Sequence, residues 1–467
     1  MGTALDPFAA GLEPPKDPDA PVAEQLILVP MAPGATIDGD VLPVVLPLRL
    51  DAGVYRADRK PRVVGALDLV LRAHDTAGAT HHAGLGGFRT RIDGHDTWRV
   101  DFDAIPYGDS RTSGAVLDLG RSHLSPTWYG YRVNGLAGGN MPFARGTPGP
   151  LFLAPGEHTI DFELTDVVTT LAPRARVRVE LTAVATTPSP DRVGVGGSAI
   201  AVDVVPLGSA LRVIATAPPG ASHVDVLFGE HALELAPTGS RYFADIESPG
   251  SGTFDVRSGS VVARVAVTTL APERGLDFRF HALTLRVASG VAWAPQTLVF
   301  RGVTPTIPDG LTQLAPVVAI TPTGHPLRGD GVISFDVAVS PKAAVYEYDA
   351  ALGDFDLLDL GARAEVSHLG TFALLEDLAP PTIAAITPAR GAVVKPGRGI
   401  VIIASVDDLG TGIPEMGASF TIDGTALDVL YDPDRGQVRA PWSASPRRAP
   451  ARDPRERSRR QRHHQHA

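Results

Sequence analysis

A hydrolytic zinc ion needs three or four His, Asp, Glu or Cys ligands held on rigid elements, so the histidines are where such chemistry would show. The sequence holds 14 of them, and none is followed by Asp four positions later. The one His-x-His is His464-Gln465-His466, in an arginine-rich tail with no element to orient it. His81 and His82 adjoin in a Gly- and Ala-rich stretch that reads as an exposed turn. Asp407 and Asp408 precede Gly410 and Gly412 at a strand end. Two adjacent acids there could join backbone carbonyls in a weak calcium site, or simply make a turn. The run "DPDRG" at 432–436 lacks the fifth-position Asp or Asn and the distal Glu of an EF-hand, and reads as a hairpin turn. No nucleophile elbow, Walker loop or dinucleotide fingerprint occurs, and with no cysteine there is neither thiol chemistry nor a disulfide. The expectation is a chain without a catalytic site, bound metal or cofactor.

A binding role has one better candidate. Trp128, Tyr129 and Tyr131 crowd the segment "TWYGYRVNG" at 127–135, read as a loop. Aromatic rings so placed could stack on a sugar face or could pack in a core, since the two uses look alike in sequence.

The elements that would carry these residues are strands. The chain has 467 residues, beyond the roughly 250–300 at which a single core stops growing, so several domains are expected. Its 49 Gly and 42 Pro interrupt short Val-, Ala-, Leu- and Thr-rich runs, and no stretch reaches the roughly 18–20 apolar residues of a membrane helix. Period-two alternation is clear in Leu67, Leu69 and Leu71 and again in Ile160, Phe162 and Leu164. The predicted architecture is all-β, tandem β-sandwiches: a linker over 1–24, a first sandwich over 25–186, a second, small one over 191–272, a third β domain over 273–379, and a partial immunoglobulin-like domain over 380–440. The segment "TTPSP" at 186–190 marks the first boundary. Residues 441–467 are expected to be a disordered basic tail, read as translated out of frame or as a basic arm.

Net charge is −10, but residues 447–462 contribute eight Arg against Asp453 and Glu456, so the chain before them carries −16 (−10 less the tail's +6). An acidic body argues against a phosphate backbone as partner, so nucleic acid is not expected.

The order of several segments resembles the region that follows the catalytic domain in large bacterial lysostaphin-like (LytM-type) zinc metallopeptidases, peptidase family M twenty-three. The residues are "LDPFAAGL" at 5–12, "DAPVAEQLILVP" at 19–30, "GFRTRIDGHDTWRVDFDAIPYGDSR" at 87–111, "TWYGY" at 127–131, "APGEHTIDFELTD" at 154–166, "GTFALLEDLAPPTI" at 370–383, and the string from "DDLGTGI" to "YDPDRGQV" at 407–438. The family binds zinc through His-x-x-x-Asp and the second His of His-x-His, and neither motif stands in a usable place here. The resemblance implies an extracytoplasmic, non-catalytic accessory region of a peptidoglycan hydrolase, with cell wall or the missing peptidase domain as partner. It further implies that the two zinc motifs and an export signal would be read upstream of Met1. A free-standing surface adhesin or glycan-binding module is the alternative.

Overall fold

The structure, a computed structural model, describes residues 3–5, 19–76, 82–102, 104–106, 112–124, 127–136, 138, 141–166, 174–185, 200–217, 223–228, 231–238, 241–350, 352–389, 391–393, 399–408, 410, 418–422, 424–432 and 435–443. It is all-β, with several separate sheets, as the interrupted apolar runs predict. It divides into two compact units, 1–306 with 313–375, and 307–312 with 376–467.

The first sandwich of the larger unit is built on strands Val22–Pro30, Val44–Asp51, Leu67–Thr76, Gly87–Ile92, His95–Asp101, Gly156–Thr165 and Ala175–Ala183. Alternation sets its core: Ala175, Val177, Val179 and Leu181 are buried while Arg176, Arg178 and Glu180 are exposed, and Ile160, Phe162 and Leu164 meet them from the neighbouring strand. Leu67–Thr76 departs from that rule. Leu69 and Leu71 enter the core as expected, but Asp68 and Val70 on the opposite face are buried too. Val70 packs with Ile27 and Val29. The linker predicted over 1–24 holds a short strand, Thr3–Leu5, paired with Ala104–Pro106, and the first long strand begins at Val22.

Beyond residue 200 a ten-stranded sheet runs across the boundary read at 272, through Val261–Leu270, Gln296–Val303, Val317–Thr321 and Thr371–Asp377. Four-stranded sheets supply the other walls of the two cores it serves. Val265 and Val267 lie in the core around Val204 and Val213, whereas Ala266 lies in the core around Leu285 and Ile333. Strands buried on both faces show no alternation, which is why the apolar run at 265–267 gave no sign of a shared element.

The smaller unit has a four-stranded sheet, in the order Thr382–Thr387, Gly399–Asp407, Gln437–Ser443, Leu430–Asp432, and a hairpin of Phe420–Ile422 with Thr425–Leu427. Its last strand runs through Pro441 and Trp442 to Ser443, three residues into the segment read as a disordered tail. Pairing with Gly399 and Ile400 holds these residues in strand conformation despite their lack of alternation. Residues 444–467, with His464 and His466, lie outside the described residues, as do 186–190.

Candidate functional site

The aromatic segment is a strand, not a loop. Thr127–Arg132 pairs antiparallel with Leu67–Thr76, Tyr129 opposite Ala73 and Tyr131 opposite Leu71. Strand alternation therefore turns both tyrosines to the core face. Tyr131 is 1% exposed, stands edge-on to Phe88, and accepts the Leu85 backbone N–H at 2.8 Å through its phenol oxygen, whose pKa burial pushes up. Stacking on a sugar is closed to it, and the expectation for Tyr131 is corrected to a core role. Tyr129 is half-buried with its ring 6.2 Å from that of Tyr131. The Trp128 backbone pairs with His123, and its side chain lies outside the described residues.

The other face of the same strand carries what the sequence did not reveal. Gly130 and Arg132 lie against segment 112–122, which follows the strand through bonds from Asp118 N–H to Gly130 O and from Arg132 N–H to Val116 O. A Cβ at Gly130 would stand 3.0 Å from Arg121 O, so glycine is what permits the approach. Arg132 then reaches two acids, Asp118 at 3.2 Å and Asp68 at 3.4 Å, and Arg121 bonds Asp118 at 2.6 Å. Asp118 is fully buried. Burial opposes its ionisation, but Arg132 and Arg121 outweigh burial and hold the carboxyl below the usual range. For Asp68 burial wins, and its pKa is raised despite Arg132. Arg72 extends the cluster, donating to Gln25 Oε1 at 2.7 Å and to Arg121 O at 3.3 Å.

Residues from the far end of the unit close over this cluster. Segment 322–326 lies on it so tightly that a Cβ on Gly120 would meet Thr323 O at 2.8 Å and one on Gly324 would meet Gly120 N at 2.1 Å. It brings His325, 6% exposed, beside Arg132 and Asp118. Burial, with help from Arg132, lowers the His325 pKa to about 3, so the ring is neutral there at physiological pH.

Two further ties join the first sandwich to the rest. Trp293 is buried in the first core although it follows the strand Leu283–Val287, and Arg328 lies over its ring at 5.2 Å. Arg212, 1% exposed, makes a two-point bond to Asp245 at 2.8 Å and donates to the carbonyls of Ala35 at 2.8 Å and Val41 at 3.1 Å. Asp245 Oδ2 in turn accepts the Gly34 N–H at 2.6 Å.

The remaining candidates are more ordinary. Asp407 is exposed at the end of its strand, and its carbonyl accepts the Thr382 hydroxyl at 3.3 Å. Asp408 accepts the Gly410 N–H at 3.1 Å, a side-chain turn. Among the described residues no group of three His, Asp or Glu is placed to hold a metal ion. His82 stacks on the buried ring of His74 with centroids 3.8 Å apart, and His81 lies outside the described residues. No family model, curated protein or solved structure matches this chain.

Proposed function

We propose that this chain is a non-catalytic positioning region of a cell-envelope peptidoglycan metallopeptidase, working outside the cytoplasm, with its larger unit serving as a spacer of fixed geometry. The observation that supports this reading is the triple tie between the first sandwich and the sheets beyond it: the cluster under His325, the Trp293 plug and the Arg212 clamp. Domains strung on flexible linkers place a partner loosely, whereas a buried arginine bonded to carbonyls of another domain, with its carboxylate partner accepting an N–H from that domain, fixes one geometry. The setting proposed for the spacer, and the cell wall as the surface it addresses, rest on the resemblance in segment order to the region that follows the catalytic domain in LytM-type enzymes.

The reading predicts that the purified chain cosediments saturably with peptidoglycan sacculi, releases no soluble stem peptides from them, and leaves a glycan array unlabelled. Labelling of the array by a chain that ignores sacculi would favour a free-standing adhesin, with Tyr129 and Trp128 the first residues to replace. Release of peptides would overturn the non-catalytic assignment.

A further inference from the structure

The strand Thr382–Thr387 forms one edge of the four-stranded sheet, and among the described residues it pairs only with Gly399–Asp407. All six of its residues are exposed, with Ile383 at 64% and Ile386 at 50%. Sheet edges of soluble proteins are ordinarily blunted by charge or proline, because a row of unpaired backbone groups is a template for another strand. This one carries no charge and no internal proline. A bulge between Ile383 and Ala385 opposes Ile383 to Val406 and Ile386 to Ala404. Both isoleucines therefore project on the face that carries Ala404 and Val438.

Its sequence, Thr-Ile-Ala-Ala-Ile-Thr, reads the same in both directions. An antiparallel partner of identical sequence then matches it at every position. We propose that two copies of this chain associate through this edge, antiparallel about a twofold axis between Ala384 and Ala385, so that their sheets become continuous. Thr382 meets Thr387 of the partner subunit, Ile383 meets Ile386 of the partner subunit, and the alanines meet at the axis. Thr–Thr and β-branched pairs are the favourable cross-strand neighbours, and the contact is isologous, so it closes at two copies. The two bulges face each other at the alanines, the smallest side chains of the strand, where an offset is cheapest to absorb. The sequence of residues 444–467, rich in Arg and His with no large apolar residue, offers no match for the two isoleucines. A six-residue ladder is about 20 Å long. It buries less than the roughly 1,200 Å² of a standard interface, so the dimer is weak and depends on concentration.

This inference stands apart from the functional reading above. Sedimentation velocity of the full chain, from low micromolar to a few hundred micromolar, is expected to show the average mass rising from 48.9 kDa toward twice that value and no further. A chain carrying both Ile383→Lys and Ile386→Lys is expected to stay monomeric with an unchanged melting temperature, since both positions are solvent-exposed. Because the native chain has no cysteine, register can be read covalently. Thr382→Cys with Thr387→Cys should give a disulfide-linked dimer under mild oxidation. Either substitution alone should not, because like positions lie about 17 Å apart across the axis. A monomer at every concentration, growth beyond two copies, or equal cross-linking by the single-cysteine chains would overturn the proposal.

Discussion

Arg132 is the residue on which the buried cluster turns. It serves two carboxylates, one of them fully enclosed, and a buried ion pair is worth little relative to an apolar replacement of both partners but costs heavily when only one is removed. Arg132→Met leaves Asp118 with Arg121 alone, and we expect a loss of about 3–5 kcal/mol in urea unfolding. The double change Arg132→Met with Asp118→Leu should recover part of that loss, which is how a double-mutant cycle would separate an ion-pair effect from lost packing. His325 adds a pH dependence of definite sign. Its folded pKa lies near 3, below the 6.5 of a free histidine, so between those values the unfolded chain binds more protons than the folded one. Stability is therefore full above about pH 6.5 and falls as the pH drops toward 3, by on the order of 5 kcal/mol at the acid limit. His325→Gln should flatten that part of the pH profile, measured as the denaturant midpoint between pH 7 and pH 4.

At the level of elements, the contact between segment 322–326 and segment 112–122 rests on two glycines. Gly324 has φ +73° with the Gly120 backbone where a Cβ would go. Gly324→Ala should cost at least about 1–2 kcal/mol from the left-handed backbone alone. Because the clash is with main chain, it should also raise hydrogen exchange at the Gly120 and Arg132 amides while that of Leu181 is unchanged. The strand plan was legible to the extent that one face met water: Ile160 to Leu164 and Ala175 to Leu181 announce themselves by alternation. It failed where a strand is covered on both sides. Asp68 looked like a solvent position between leucines, and nothing local tells that Arg132, 64 residues on, comes to rest beside it. Tyr131 was misplaced for a related reason, since a Gly-rich, Tyr-rich run has loop composition, and only its pairing with Leu67–Thr76 makes it core. Glycine there answers to the neighbouring Arg121 carbonyl, not to a turn.

At the scale of the molecule, the ten-stranded sheet links what the sequence divides at residue 272. Val299, from beyond that point, belongs to the core of the preceding sandwich, and residues 265–270 pair with residues 296–301. A fragment spanning 191–272 would lose its neighbouring strand and expose one side of Ala266 and Leu270, both buried in the whole chain. We expect such a fragment to be aggregated or unfolded by circular dichroism and sedimentation, whereas 191–375 should melt in one cooperative step. A fragment with a melting transition of its own would show that the shared sheet is dispensable.

The Arg212 clamp bears on how the chain matures. Its acceptors at Ala35 and Val41 precede Arg212 itself by more than 170 residues, and its carboxylate at Asp245 comes later still. During synthesis at roughly 5–20 residues per second, the first sandwich emerges well before its guanidinium and counter-ion exist. Those carbonyls spend that interval hydrated. Capture of the loop at 32–41 is then a late step, and a ribosome stalled short of residue 245 should display a first sandwich whose loop remains open to protease.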